Sequence, residues 1–340
     1  MENAPKGIAN LGNTCYLNAC IQVLSQIEPL NNIITKINYI HNPTKIESQL
    51  WKQWKEIHFV MQSSGTKDKV FPGGFVASIQ SIAKSKKRDF FQPNSQEDIT
   101  EFIYFFMDCL HECISRPITI QISGHSENVV DNLAINVYKK IKDTFENNYS
   151  EITDMFNGVY VSCISSLNNH ISHSENPELF SILDLFIPSK DKVTLYDCID
   201  EYCKGEILDG DNMWFNEKTN SKEAVNKYIK FWSFPNILII SLKRVSIDGT
   251  TKINTSVEYP FELDLCKYVC GYKKTNFVYD LIGICNHSGS LDNGHYTAFV
   301  KRSNDWFFCN DDIIQKVEST DHIITPYGYC LFYVKKNTTV

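Results

Sequence analysis

The pattern of apolar residues changes once along the chain, near residue 155, and that change limits the folds open to it. Before it, apolar side chains recur at helical spacing. After Cys15, the residues Tyr16, Ala19, Cys20, Val23, Leu24 and Ile27 follow the 3.6 period. The stretch 45–62 does the same through Leu50, Trp54, Ile57 and Met61, and another helix is predicted after the Pro-Gly-Gly break at 72–74. QPNSQEDITEFIYFFMDCLHECI, 92–114, reads as a further helix with Ile99, Phe102, Ile103, Phe106 and Leu110 on its buried stripe. Asn94 and Glu97 have the spacing of a capping box at its start. A helix is also expected near 129–145. Beyond it, GVYVSCISSL, LFSILDLFIP and NILIISLKRV are rich in branched and aromatic residues between turn formers, as strands are. Four more strands are expected between 277 and 336. Helices first and antiparallel strands later predict an α+β fold.

At 340 residues the chain can bury a large core. Its net charge of −7 speaks against a nucleic-acid binder, which carries a basic face. The first twenty residues hold Glu2, Lys6 and several Asn without an apolar run, so no signal peptide is read there. The longest apolar run, ILII at 237–240, has the length of a strand and not of a membrane span. The expectation is an intracellular protein, cytoplasmic with the nucleus also open to it, that uses no membrane. In that setting the twelve cysteines are free thiols, most of them small buried hydrophobes. None belongs to a Cys-x-x-Cys pair of the kind zinc sites use, so neither a metal nor another cofactor is expected.

One cysteine stands apart. Cys15 lies between a polar Gly-Asn-Thr turn and the first helix, a place that suits a nucleophile better than a core thiol, because the helix dipole favours thiolate. His295 follows a glycine and heads the alternating segment GHYTAFVKR. Asn310, Asp311 and Asp312 fall where the next strand would end, and a turn at 301–305 would bring them close to His295. A thiol hydrolase needs these types: a sulfur nucleophile, an imidazole that takes its proton and returns it to the leaving amine, and a side-chain oxygen that fixes the imidazole's tautomer. By residue type alone, a Cys, a His and an Asn in a chain of this length coincide by chance.

The words around these residues are more specific. GIANLGNTCYLNACIQVL resembles the cysteine box of the ubiquitin-specific proteases, the papain-like deubiquitinases, and YDLIGICNHSGSLDNGHYTAFVKRSNDWFFCNDDIIQKV resembles their histidine box. Between them, QPNSQEDITEFIYFFMDCLHE is similar to the family's Gln-Glu helix and FPNILIISLKRV to its Leu-Lys-Arg strand. The likeness runs from Gly7 to Val334 in the family's order. It implies a papain-like cysteine protease fold with a helical thumb, an antiparallel β palm and β fingers. It implies a single catalytic domain over 7–336, with the thumb at 7–155, the fingers with palm strands at 156–235 and the palm at 236–336. The implied activity is that of a thiol-dependent deubiquitinase cleaving the peptide or isopeptide bond after the C-terminal Gly of ubiquitin. Its partners would be ubiquitin and ubiquitinated proteins.

By position, the resemblance makes Cys15 the nucleophile, His295 the general base and Asn310 the third triad residue. Asp311 matches the adjacent acid that supports or replaces that third residue, and Asn10 the side-chain donor of the oxyanion hole. Asn18 and Gln22 match the box on its helix and read as structural. Ubiquitin ends in Leu-Arg-Gly-Gly, which calls for a narrow channel with carboxylates for the arginines. Glu97, with Gln96 beside it, matches the position that meets this tail, and Asn94 stands where some members carry Asp. Tyr296 is expected to pack against the channel, and HSGSLDNG, 287–294, matches a mobile loop over the site.

The chain departs from the family in its fingers. Many members hold the fingertips with four cysteines and a zinc. The matching positions here are Cys163, Ser166, Asn216 and Thr219, and one cysteine cannot make a tetrahedral site. No structural zinc is expected; strand pairing with Trp214 and Phe215 would hold the fingers instead. Two other functions stay open: a protease for a ubiquitin-like modifier such as SUMO, and an inactive ubiquitin-binding scaffold.

Overall fold

The computed structural model describes residues 4–37, 43–63, 69–167, 171–291 and 293–336. Met1 to Asn3, at the start of the segment read for a leader, and Asp292, within the Gly-rich loop, lie outside the described residues. The helices are α1 (Cys15–Leu24), α2 (Glu28–Lys36), α3 (Glu47–Gln62), α4 (Gly73–Ser85), α5 (Ile99–Ile114), α6 (Val129–Phe145), α7 (Glu151–Phe156) and α8 (Leu195–Lys204). The strands are β1 (Gly158–Ser166), β2 (Ser172–Phe180), β3 (Ile182–Phe186), β4 (Val193–Thr194), β5 (Glu206–Leu208), β6 (Trp214–Asn216), β7 (Ser221–Glu223) and β8 (Val225–Ser233). They continue as β9 (Ile237–Lys243), β10 (Val257–Glu258), β11 (Glu262–Asp264), β12 (Val278–Gly289), β13 (Gly294–Arg302), β14 (Asp305–Asn310), β15 (Ile313–Lys316) and β16 (Gly328–Lys335). Helices precede most strands, and the fold is α+β.

The largest sheet has eight strands, in the order β15-β14-β13-β12-β16-β9-β3 with β11 beside β12. Its pairs are antiparallel except at one edge, where β3 runs parallel to β9. The expectation of an antiparallel palm is corrected there. Segment 179–188 does not make one strand: Phe180 ends β2 in the four-stranded sheet β2-β1-β8-β5, the chain bends at Ser181, and β3 enters the large sheet. Segment 305–317 likewise makes two strands, because Asp311 turns the chain with a positive φ of 49°. Asp accepts this left-handed geometry more readily than most residues.

Both faces of the large sheet are covered. One packs α1, α3, α4 and α5 into a core around Leu17, Val23, Trp54, Phe75, Phe102 and Phe106. The other packs α8 and the loops near Tyr259 and Leu265 against Leu238, Ile240, Tyr279 and Tyr333. A smaller core joins α6 to the four-stranded sheet through Val137, Val161, Cys163 and Trp232. Strand β9 is buried on both faces from Ile237 to Leu242, which explains its continuous apolar run.

At the fingertips, Asn216 Nδ2 and Thr219 Oγ1 both donate to Glu223 Oε1, at 3.0 and 2.6 Å, while Cys163 is buried within the smaller core. This donor set does not fit zinc. Trp214 stacks on His173 with ring centroids 5.5 Å apart, but Phe215 points outward and is 48% exposed. The fingers are therefore held by pairing and Trp214, without the help expected from Phe215.

Candidate active site

Cys15 is the first residue of α1, and the helix is packed on β13. Thr14, in the N-cap position, makes no cap bond. Its hydroxyl instead accepts from Leu11 N at 2.9 Å and donates to Asn10 Oδ1 at 3.4 Å. Amide groups at an uncapped helix N-terminus are available to a ligand. Cys15 is only 5% exposed. Burial pushes its pKa up, and the negative charge of Asp311 adds to that. The backbone amides of Tyr296, Tyr16 and Cys15 itself offset part of the rise. The expected bias of the helix dipole toward thiolate is thus overcome by desolvation, and the resting thiol holds its proton.

His295 stands one residue into β13, with its side chain 41% exposed. Its Nε2 meets Asn310 Oδ1 at 2.7 Å and lies 3.9 Å from Asp311 Oδ2. The register explains this: Ala298 pairs with Cys309, so Asn310 falls on the same face as His295 and diagonal to it. An amide oxygen only accepts, so Nε2 carries the proton, leaving Nδ1 free as a base. The two-residue turn Ser303–Asn304 makes the hairpin.

Asp311 ties the site together. Its Oδ1 accepts from Asn18 Nδ2 at 2.8 Å, its Oδ2 from Asn10 Nδ2 at 2.9 Å, and its carbonyl from Ile8 N at 2.8 Å. Segment 7–9 also pairs with Val70, and a Cβ on Gly7 would collide with the Asp312 backbone, so glycine is required for that approach. Asn10 Oδ1 accepts from Gly12 N at 3.1 Å and Thr14 N at 3.2 Å. Those two donors fix the amide's orientation, with its Nδ2 turned to Asp311. Gln22 donates to Lys6 O at 2.7 Å, within the core.

A cleft of about 460 Å3 opens beside these groups, lined by Gln96, Glu97, Asp98, Arg244, Lys252, His287, Tyr296 and Tyr329 among others. Here the structure corrects two sequence expectations. Helix α5 begins at Ile99, not directly behind Asn94, and is capped by Asp98, whose Oδ1 accepts from Thr100 N and Glu101 N at 2.7 and 3.1 Å. Asn94 is not a cap: it adopts a left-handed φ of 62° in the preceding loop, where its carbonyl accepts from Asn13 Nδ2. Glu97 lines the cleft, yet its Oε1 is occupied by Phe91 N and Ser95 Oγ. Asp98 is the acid that sequence reading missed, although Asp-x-x-Glu at 98–101 is itself an N-cap signal. Gln96 Oε1 accepts from Gly294 N at 2.9 Å, so it meets the strand leading to His295. Tyr296 packs on His287 with centroids 4.5 Å apart.

The family model described as ubiquitin carboxyl-terminal hydrolase matches residues 6–333. The chain belongs to the ubiquitin carboxyl-terminal hydrolase family. Among relatives in that family, the chain is 29% identical over 346 residues to ubiquitin carboxyl-terminal hydrolase Usp2 of Drosophila melanogaster, covering 96% of this chain and 34% of that protein. It is 29% identical over 364 residues to ubiquitin carboxyl-terminal hydrolase 4 of Saccharomyces cerevisiae, covering 96% and 39%. The chain thus spans between a third and two fifths of the length of these hydrolases. Among solved structures, it is similar to a chain of the SAGA DUB module Ubp8/Sgf11/Sus1/Sgf73 bound to ubiquitin aldehyde, with TM-score 0.75, 22% identity and coverage of 99% of this chain and 71% of that one. A chain of a mutant module bound to monoubiquitin gives 0.72 and 23%, covering 98% and 69%. Among the described residues, no helix is long and apolar enough to cross a membrane.

Proposed function

We propose that this chain is a thiol-dependent deubiquitinase that hydrolyses the bond after the C-terminal glycine of ubiquitin. The observation that carries the reading is the joining of two distant segments: the Cys15 thiol lies against the Tyr296 amide, while the neighbouring His295 is oriented by Asn310 at 2.7 Å. Membership of the family supports it, as does a fold shared with proteins solved with ubiquitin and its aldehyde. Residues 7–336 act as one catalytic domain of thumb, fingers and palm.

In the first step His295 Nδ1 takes the thiol proton and Cys15 Sγ attacks the glycine carbonyl carbon. The oxyanion is met by Asn10 Nδ2 and by the Cys15 amide. The C–N bond breaks, the amine leaves with the proton from His295, and a thioester remains. Water, deprotonated by the same ring, then hydrolyses the thioester and restores the thiol. Asn310 holds the imidazole, and Asp311 holds Asn10 and Asn18. No metal or other cofactor takes part. Asp98 and Glu97 supply the negative wall of the cleft for the arginine of the ubiquitin tail, and the side chains of Asn94 and Tyr296 frame its approaches. The −7 net charge suits this partner better than nucleic acid, and the expected setting is the cytoplasm.

The test is incubation with ubiquitin bearing a C-terminal electrophile, with Cys15→Ala as control. A covalent adduct that needs Cys15 is expected. Binding without adduct would make the chain a scaffold, and adduct with a SUMO probe alone would change the modifier.

A further inference from the structure

Lys252 has an unusual set of neighbours. It comes from the turn after β9, closed by a bridge between Val245 and Lys252. Its ammonium meets His287 Nδ1 at 3.0 Å, the His287 carbonyl at 3.1 Å and the Gly289 carbonyl at 2.9 Å. None of the three is a carboxylate. An ammonium has three protons and no acceptor, so all three are used and Nδ1 must accept. The His287 ring is thereby neutral, with its proton on Nε2.

That ring lies behind the segment that carries His295. His287 pairs with Tyr296 across the β12–β13 ladder, so its side chain shares a face with Tyr296 and Gly294, opposite to His295. A Cβ on Gly294 would collide with His287 Nε2 and with the Ser288 carbonyl. On its other sides the segment is held by Gln96 on Gly294 N and by Ser288 Oγ on the His295 carbonyl, at 3.3 Å. The charged and titratable groups around His287 are Lys252, Asp98 and His295, with Arg244 acting on Lys252 and Tyr329 against the ring.

We propose that Lys252 and His287 are a positioning pair for His295: the ammonium fixes the orientation of the His287 ring, and that ring sets the height of the Gly294–Tyr296 backbone against Cys15. Neither residue touches the reacting atoms. The pair also links the turn after β9 to the end of β12. The proposal rests on the thiol-hydrolase reading, and its test separates the two.

Lys252→Met is compared with wild type on ubiquitin carrying a C-terminal fluorogenic amide. A drop in kcat of about tenfold to a hundredfold is expected with KM within twofold, as for a displaced catalytic group. The acid limb of the kcat/KM profile should move, and Lys252→Arg should restore most of the rate. Unchanged kcat and pH profile would overturn the proposal. So would a nitrogen-resolved NMR spectrum placing the His287 proton on Nδ1. If wild type fails to cleave the amide, the functional reading falls, and the pair is judged by iodoacetamide labelling of Cys15. The pH midpoint of labelling should then differ between wild type and Lys252→Met, and equal midpoints would overturn it. If Lys252→Met does not fold, Lys252→Gln, which keeps a donor, takes its place in each measurement.

Discussion

Asp311 works against the thiolate while it organises the groups that would stabilise the transition state. Its charge raises the Cys15 pKa, and its carboxylate holds Asn10 and Asn18. Asp311→Asn removes the charge and keeps one accepting oxygen. The pH midpoint for alkylation of Cys15 should therefore move down in this variant, whereas turnover should fall because Asn10 is less well held. An upward shift, measured by mass spectrometry of the Cys15 peptide, would show that the carboxylate does not act through its field. Asn10→Ala should cost on the order of a hundredfold in kcat with little change in KM, the signature of a lost oxyanion donor. The sequence singles out Cys15, His295, Asn310, Asp311 and Asn10 as candidates because each sits inside a long local word. It does not single out Asp98, Lys252 and His287, because their significance depends on partners brought from other segments: Tyr329 Oη donates to Asp98 Oδ2 at 2.6 Å, and Lys252 meets His287 from 35 positions away.

At the scale of elements, the beginning of α5 decides which of the cleft's acids caps the helix. Sequence spacing offered Asn94 and Glu97 as a cap, and the periodic stripe starting at Ile99 was compatible with either start. The later start wins because Asp98 adopts extended backbone, with φ −72° and ψ 130°, and satisfies two of the helix's open amides. Removing those bonds with Asp98→Ala should destabilise the protein by about 1 kcal/mol. It should also weaken ubiquitin binding more than it slows the bound complex, since Asp98 lines the cleft and does not touch Cys15. A stability loss with KM unchanged would leave the acid a cap alone. The strand pattern was legible where burial alternates, as in β1, and blurred where a turn interrupts an apolar run, as at Ser181 and Asp311. Periodicity marks the face a residue occupies, but not the left-handed residue that reverses the chain.

For the whole molecule, the buried histidines set how stability responds to mild acid. Burial lowers the pKa of His58 and His111, and burial with the Lys252 charge lowers that of His287 to about 4. The unfolded chain binds protons on these rings below about 6.5, while the folded chain binds them less readily. Their contribution is therefore complete above pH 6.5 and is lost as pH falls toward 4. Glu112, held low by Lys86 and Lys45 against the effect of its burial, acts in the same sense but at lower pH, its contribution being lost only below the ordinary carboxylate range. The interval from pH 7 to 5 thus isolates the histidines. Tm should fall across it by a few degrees, on the order expected for one or two kcal/mol in a chain of this size. His287→Gln should flatten that slope, since it removes the ring that Lys252 and burial keep neutral. Calorimetry at pH 7, 6 and 5 on both proteins measures the difference. Parallel slopes would mean that His287 takes up its proton as easily in the folded protein as in the unfolded chain. That result would contradict the neutral ring on which Lys252 is seated.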